Sequence, residues 1–149
     1  MQTAPDKEVL RQQMEERIWR FLLSFREDHQ LPPLWRRPLI GFADTDHPGF
    51  LRLRQAVLPD HALPQDILPG CRTAAVCFLP FSLEVIQSNR EGRYSSPLWV
   101  MAYQRSAQVL APVGQLIQTM VEKEGFQAVI PGDTGYAAPG LYKSRWSHR

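Results

Sequence analysis

The chain has 149 residues, a net charge of +2 and a hydrophobic fraction of 44%. This size suits one globular domain, and the composition argues against wholesale disorder. Its two cysteines, Cys71 and Cys77, exclude a disulfide framework and any cluster that needs four cysteine ligands from this chain alone. No apolar run reaches the roughly 20 residues of a membrane helix, and the N-terminus lacks the apolar core of a signal peptide. We therefore expect a cytoplasmic protein with reduced thiols and no membrane partner.

The first 38 residues predict a helix and a proline-rich connector. Apolar residues recur every three or four positions over residues 6–28, which is the spacing of one helix face, and Asp6 is suited to cap it. Three prolines in residues 30–38 exclude a regular helix and predict an extended segment. This segment contains Trp35, Arg36 and Arg37, which have the chemistry to stack a ring and bind an anion. Such residues more often lie in a loop exposed to solvent.

Residues 39–69 predict a short strand followed by a helix. Residues 39–43 are apolar and lead into polar residues, as in a buried strand that runs into a loop. Pro48 then begins a helix that extends to about Val57, with Asp46 or His47 as its cap. The prolines of residues 58–69 predict irregular chain with at most one helical turn near Gln65.

Residues 72–79 give the strongest strand signal in the chain. Apolar residues follow one another here without alternation, which is typical of a strand buried on both faces. We expect this strand at the centre of the sheet, flanked by strands at residues 39–43 and 126–130. Cys77 is then a small buried side chain, and replacement of Phe78 by alanine is expected to cost about 3–5 kcal/mol.

The second half predicts a polar loop and a long helix. Residues 81–96 are polar, with a helical turn at their start, and residues 96–124 carry a wide apolar face. Pro112 is expected to kink or divide this helix, and Gly125 to end it. The fold class is thus α/β, a single layered domain over residues 1–149 with a small mixed sheet flanked by helices. Residues 1–38 are the N-terminal helix and connector, and residues 39–149 are the core.

The most concentrated ligand-binding chemistry lies in the C-terminal tail and in the loop after residue 79. Ligands of open α/β sheets lie beyond the carboxyl ends of strands, so we expect a site where these two segments meet. A solvated basic terminus is the alternative interpretation of the tail. The candidate cofactor-binding residues are Phe81, Ser82, Asn89, Arg90, Tyr142, Arg145, Trp146 and His148.

Three stretches resemble a known family. They are LPGCRTAAVCFLPFSLEVIQSNREG (68–92), PLWVMAYQRSAQVLAPVGQLIQTMVEKEGFQAVIP (97–131) and LYKSRWSHR (141–149). In order and spacing they are similar to the N-terminal half of epoxyqueuosine reductase-like iron–sulfur proteins, and residues 144–149 are the most specific piece.

The resemblance implies a cobalamin-dependent redox scaffold. In this family an N-terminal α/β domain, similar to the corrinoid-binding domain of reductive dehalogenases, holds the corrinoid. A ferredoxin-like C-terminal half carries two four-iron clusters, and epoxyqueuosine reductase itself reduces the epoxide of a tRNA wobble nucleoside to queuosine. The resemblance therefore implies cobalamin as a cofactor and tRNA as a possible partner. The net charge of +2 does not by itself indicate a nucleic-acid partner.

Two departures from the family pattern limit what carries over. The sequence ends at Arg149 without a Cys-x-x-Cys-x-x-Cys run, so we expect no metal and no iron–sulfur cluster on this chain. The region that matches the acidic proton donor of the reductases reads YQRSAQ (103–108) and has no carboxylate, so no catalytic residue is assigned. The expectation is a truncated or domain-only family member that relies on a ferredoxin-like subunit or on self-association. A non-catalytic binding module and a small flavin- or tetrapyrrole-binding protein are the alternatives.

Overall fold

The structure is a computed structural model that describes residues 6–57 and 59–131. These residues contain five helices and two strands, which confirms a mixed α/β composition. Each helix lies where the sequence predicts a helix or a helical turn. In chain order the elements are α1 (Lys7–Asp28), β1 (Leu39–Asp44), α2 (Pro48–Ala56), α3 (Pro64–Ile67), β2 (Thr73–Phe78), α4 (Leu83–Ser88) and α5 (Pro97–Lys123).

Helix α1 forms as its periodicity predicts. The Asp6 carboxylate accepts a hydrogen bond from the backbone N–H of Glu8 at 2.9 Å and so caps the first turn. Met14, Ile18 and Leu22 on the apolar stripe are almost fully buried. Hydrophobic burial of this stripe is the main stabilising contribution of the helix.

Strands β1 and β2 form a two-stranded antiparallel sheet. The backbone N–H of Thr45 donates to the carbonyl of Arg72 at 3.2 Å just beyond the strand ends. This register places Leu39 opposite Phe78 and therefore Ile40 opposite Cys77. The prediction of a mixed sheet is wrong for the described residues, because their only two strands run in opposite directions.

The predicted third strand is also wrong. Residues 126–130 have no strand conformation, and Phe126 is about half exposed. Five residues that alternate between apolar and polar side chains form a strand only where an open sheet edge can complete their hydrogen bonds. Whether such an edge exists depends on the tertiary structure, which a short sequence pattern does not encode.

The expectation that β2 is the buried centre of the sheet is wrong as well. Val76 is 61% exposed and Phe78 is 60% exposed. Successive side chains of a strand point to opposite faces. In this strand Cys77 is partly buried, whereas Phe78 and its cross-strand neighbour Leu39 lie open. The apolar run suits a strand covered on both faces, but in this strand only Ala74 and Cys77 are partly buried.

Helix α5 continues through Pro112 and is not divided there. Proline lacks the N–H that donates to the carbonyl four residues earlier, so packing must compensate for the lost hydrogen bond. Val109 and Val113, on either side of Pro112, are buried and supply that packing. The helix ends as predicted near Gly125, whose φ of 83° is a conformation that glycine adopts without strain.

The chain divides into two units. Unit 1 comprises Met1–Gly41 and Cys77–Met120, and its interior is formed by residues of α1, the connector, α4 and α5. Unit 2 comprises Phe42–Val76 and Val121–Arg149, with Ala62 and Leu63 among its buried residues. Within the described part of the chain, no helix has the length and apolar character needed to cross a membrane.

Candidate functional site

The connector and the exit of β2 pair with each other in unit 1. The backbone N–H of Arg36 donates to the carbonyl of Pro80, and the N–H of Ser82 donates to the carbonyl of Leu34, both at 2.9 Å. These bonds form a short antiparallel ladder that fixes Phe81 between them. The proline-rich connector is therefore held against the segment that the sequence predicts to be ligand-binding.

Trp35 anchors this ladder to helix α5. Its indole N–H donates to the hydroxyl of Ser106 at 2.8 Å, and the residue is 5% exposed. Trp35 is also the residue that pairs with Phe81 across the antiparallel ladder. A buried indole with its N–H satisfied is a rigid support, so the ladder has a defined position on α5.

Three aromatic side chains form a continuous group that we call the aromatic platform: Phe81, Trp99 and Tyr103. The ring of Phe81 meets Trp99 edge-on at 6.2 Å between centroids. Trp99 and Tyr103, one turn apart on α5, are stacked at 5.6 Å with an interplanar angle of 9°. Tyr103 is 62% exposed, so the described residues leave much of its side chain uncovered.

Arg36 and Arg37 have different environments although they are adjacent. The Arg37 guanidinium donates to the Glu16 carboxylate at 3.0 Å and lies 5.9 Å from the centroid of the Trp19 ring. The bond from Arg37 lowers the pKa of Glu16. Arg36 instead donates from Nε to the carbonyl of Phe81 at 3.0 Å and has no ion pair with any described carboxylate. Its guanidinium is thus held at the backbone of Phe81, and no carboxylate among the described residues neutralises it.

Three of the predicted site residues have hydrogen bonds that organise the loop. The Ser82 hydroxyl accepts from the N–H of Val85 at 3.2 Å and caps α4. The Asn89 side-chain oxygen accepts from the N–H of Ser96 at 2.9 Å. Arg90 is exposed, and its backbone N–H donates to the Gln87 carbonyl.

The structure brings Phe81 into the aromatic platform, whereas Ser82 and Asn89 organise the backbone of the loop that follows it. Tyr142, Arg145, Trp146 and His148 lie outside the described residues, so their part in the site stays a prediction.

The reason for the site's position differs from the one that the sequence offered. In an antiparallel pair the carboxyl ends of the strands lie at opposite edges, so the rule for parallel sheets does not apply. The connector ladder places these residues instead. Trp99 and Tyr103 are not among the predicted site residues, although two aromatic residues at i and i+4 share one helix face.

A second surface of unit 1 is the open face of its part of the sheet. Leu39 is 54% exposed and lies opposite the exposed Phe78. On the other face, the N–H of Ile40 donates to the Glu15 carboxylate at 2.9 Å. Burial, with a smaller effect of the Glu15 charge, raises the pKa of the Cys77 thiol to about 11. Cys77 is therefore a protonated, unreactive thiol near neutral pH.

The described residues also line a cavity outside the platform. Unit 2 has a shallow cavity of about 490 Å³ lined mainly by apolar residues, with Asp44 and His47 at its polar side. The His47 ring nitrogen accepts from the N–H of Gly49 and caps α2. Over residues 6–57 and 59–131, no group of three or more His, Cys, Asp or Glu could hold a metal ion.

Comparison with protein-family models, curated proteins and solved structures returned no match. The epoxyqueuosine reductase-like assignment thus stays a prediction that rests on the motifs quoted above.

Proposed function

We propose that this chain is the cofactor-binding part of an epoxyqueuosine reductase-like redox protein, and that it holds cobalamin at the aromatic platform. The observation that carries the proposal is the stacked pair of Trp99 and Tyr103, whose outer ring is exposed and which contacts the ring of Phe81. The corrinoid-domain resemblance of the fold and a cytoplasmic location belong to the same proposal.

The residues present fit the chemistry of a corrinoid. A corrinoid needs flat apolar surface for its macrocycle and hydrogen-bond donors for its amide and phosphate groups. The exposed ring of Tyr103 supplies flat surface, and Arg36 supplies planar N–H donors. The bound cofactor would supply the redox-active centre, while these side chains would bind and orient it.

The proposal assigns no proton donor to this chain. The described contacts of the platform involve aromatic rings, a guanidinium and hydroxyl groups, and no carboxylate takes part in them. The platform is therefore proposed as a binding surface, with reduction of a nucleoside epoxide in tRNA as the reaction class that the family resemblance suggests.

Electrons would come from a ferredoxin-like polypeptide. The sheet face formed by Leu39 and Phe78 favours this arrangement, because exposed apolar pairs of this kind are typical of interaction surfaces. The same observation favours a second candidate function, a non-catalytic binding module that docks a partner through this face.

Cofactor binding is tested by titration of the purified chain with cobalamin, followed by absorption spectroscopy and gel filtration. We expect saturable binding of one cobalamin per chain. Tyr103→Ala should weaken binding about tenfold, as expected for loss of one aromatic stacking surface. Tyr94→Ala is the matched control, because Tyr94 is an exposed tyrosine of the same unit outside the platform. Absence of saturable binding, or equal loss in both variants, would reject the proposal.

The second candidate is tested separately with Phe78→Asp. We expect this substitution to abolish association with a two-cluster ferredoxin, or self-association, in sedimentation experiments. Leu83→Asp introduces the same charge at an exposed leucine on α4 and serves as control. A partner bound through the sheet face without any cobalamin binding would favour the binding module over the redox protein.

A further inference from the structure

Helix α5 has a second apolar face that the packing of unit 1 leaves open. The buried side of the helix is marked by Ala102, Val109 and Val113, which are at most 2% exposed. Tyr103 and Leu110 are instead 62% and 56% exposed. At about 100° per residue these two side chains lie roughly a quarter of a turn from the buried side. They therefore belong to a different face of the same helix.

The residues of this open face have the spacing of a coiled coil. We call them the α5 seam: Val100, Tyr103, Ala107, Leu110 and Gly114, which are separated by alternating steps of three and four residues within unit 1. This is the a/d repeat through which two helices pack side by side. Val100 is 39% exposed and Ala107 is also exposed, so the seam is accessible over about three turns.

The α5 seam is uncharged. In residues 98–114 only Arg105 carries a charge, and helical periodicity places it on the side of α5 opposite the seam. There its guanidinium donates to the side-chain oxygen of Gln108 at 2.9 Å. A partner with a strongly charged face would gain no complementary charge from the seam. A second copy of this chain would bring no like charges together, although its net charge is +2.

We propose that two copies of this chain associate through their α5 seams, with the two helices antiparallel. In this register Val100 faces Leu110 of the second copy. Tyr103 faces Ala107 of the second copy, so the largest side chain of the seam meets a small one. A parallel pair would instead oppose two Tyr103 rings and leave a gap between two alanines. The sizes of the side chains therefore make the seam complementary to itself in the antiparallel orientation.

The dimer should be weak and reversible. A single pair of helices buries little area, and interfaces below about 1,200 Å² are typical of transient complexes. We therefore expect a dissociation constant in the micromolar range. The inference does not depend on the proposed function, but both use the ring of Tyr103. A corrinoid and a second copy would compete for that ring, so cobalamin should dissociate the dimer.

Sedimentation velocity of the full chain over about 1–300 µM tests the association. We expect a concentration-dependent change from monomer to dimer. Leu110→Asp should weaken the dimer at least about tenfold, because it buries an unpaired carboxylate in the seam. Leu83→Asp introduces the same charge at an exposed leucine of α4 and should leave the dimer unchanged. Circular dichroism checks that both variants fold. A monomer at every concentration, or equal loss in both variants, would overturn the inference.

A pair of charged variants tests the antiparallel register. Leu110→Lys and Val100→Glu should each weaken their own dimer, because each charge faces an apolar side chain. A mixture of the two should recover most of the wild-type affinity. In the mixed dimer the lysine faces the glutamate, and the second pair keeps Val100 opposite Leu110. A fluorescent label on one variant detects the mixed species. Absence of recovery would reject the antiparallel seam.

Further outcomes separate this inference from the functions proposed above. Self-association that is lost in Phe78→Asp, as the second candidate function predicts, would place the contact on the sheet face and overturn the α5 seam. A dimer that depends on Leu110 but binds no cobalamin would support the seam and reject the cofactor proposal. A chain that binds cobalamin but is monomeric at every concentration would do the reverse.

Discussion

Helix α1 and strand β2 carry similar apolar side chains in different surroundings. Ile18 of α1 is fully buried, whereas Phe78 of β2 is 60% exposed. The helix presents one apolar stripe, which a single packed layer can cover. The strand is apolar on both faces and needs a layer on each side. Apolar content thus indicates how much surface an element can bury, and the neighbouring elements decide how much it does bury.

We expect the largest loss of stability from truncation of a buried side chain of α1. Ile18→Ala should lower the free energy of unfolding by about 2–5 kcal/mol, because the lost side chain leaves a cavity in the core. Urea denaturation measures this difference. Val9→Ala, at an exposed position of the same helix, should change the free energy by no more than about 0.5 kcal/mol. Similar losses for both variants would contradict the assignment of the buried stripe.

A smaller effect is expected where the chain leaves the strand. Ser82→Ala should cost about 1 kcal/mol, because the N–H of Val85 loses its capping oxygen inside a buried segment. Ser82→Thr retains the hydroxyl and should recover most of the stability. Thermal unfolding of the two variants makes the comparison, and no difference between alanine and threonine would show that the cap contributes nothing.

Because Cys77 of β2 is partly buried, we expect the stability of the protein to depend on pH in the alkaline range. The folded Cys77 thiol has its pKa raised by burial from the ordinary 9.0 to about 11. Its contribution to stability is therefore complete below pH 9 and is lost as the pH rises from 9 to 11.

In a Cys71→Ser background, alkylation of Cys77 by iodoacetamide should be slow at pH 8 and increase steeply above pH 9. Urea should increase the rate at pH 8. Fast alkylation of the folded protein at pH 8 would mean that this face of the strand is not covered.

The smallest effect is expected on the open face. Phe78→Ala should change the free energy of unfolding by less than about 1 kcal/mol, since most of the ring is already in water. This value replaces the 3–5 kcal/mol that burial on both faces would give. Urea denaturation of the isolated chain is the measurement. A large loss in the isolated chain would show that another layer covers this face, and would remove the contrast with α1.

The candidate site was predictable in part, for physical reasons that differ between its residues. Phe81 was predicted from its position after a strand, whereas Arg36 and Arg37 have suitable chemistry but were not among the predicted site residues. The sequence could not distinguish the two arginines, because only the packed chain puts Glu16 beside Arg37 and the Phe81 carbonyl beside Arg36. Trp99 and Tyr103 share a helix face that sequence alone could have shown, but their stacking on a segment distant in the chain depends on the fold.

The sequence by itself determined the helices, because their signals are local. The cap at Asp6, the stripe of α1, the proline at the start of α2 and the glycine after α5 each act within one or two turns. Only the tertiary structure decided the sheet. Strand partners come from distant parts of the chain, so the direction of the pair, the absence of a strand at residues 126–130 and the exposure of Phe78 are not encoded in any short window. The aromatic platform has the same origin, since Phe81 meets Trp99 of α5 only after the connector has paired with the exit of β2.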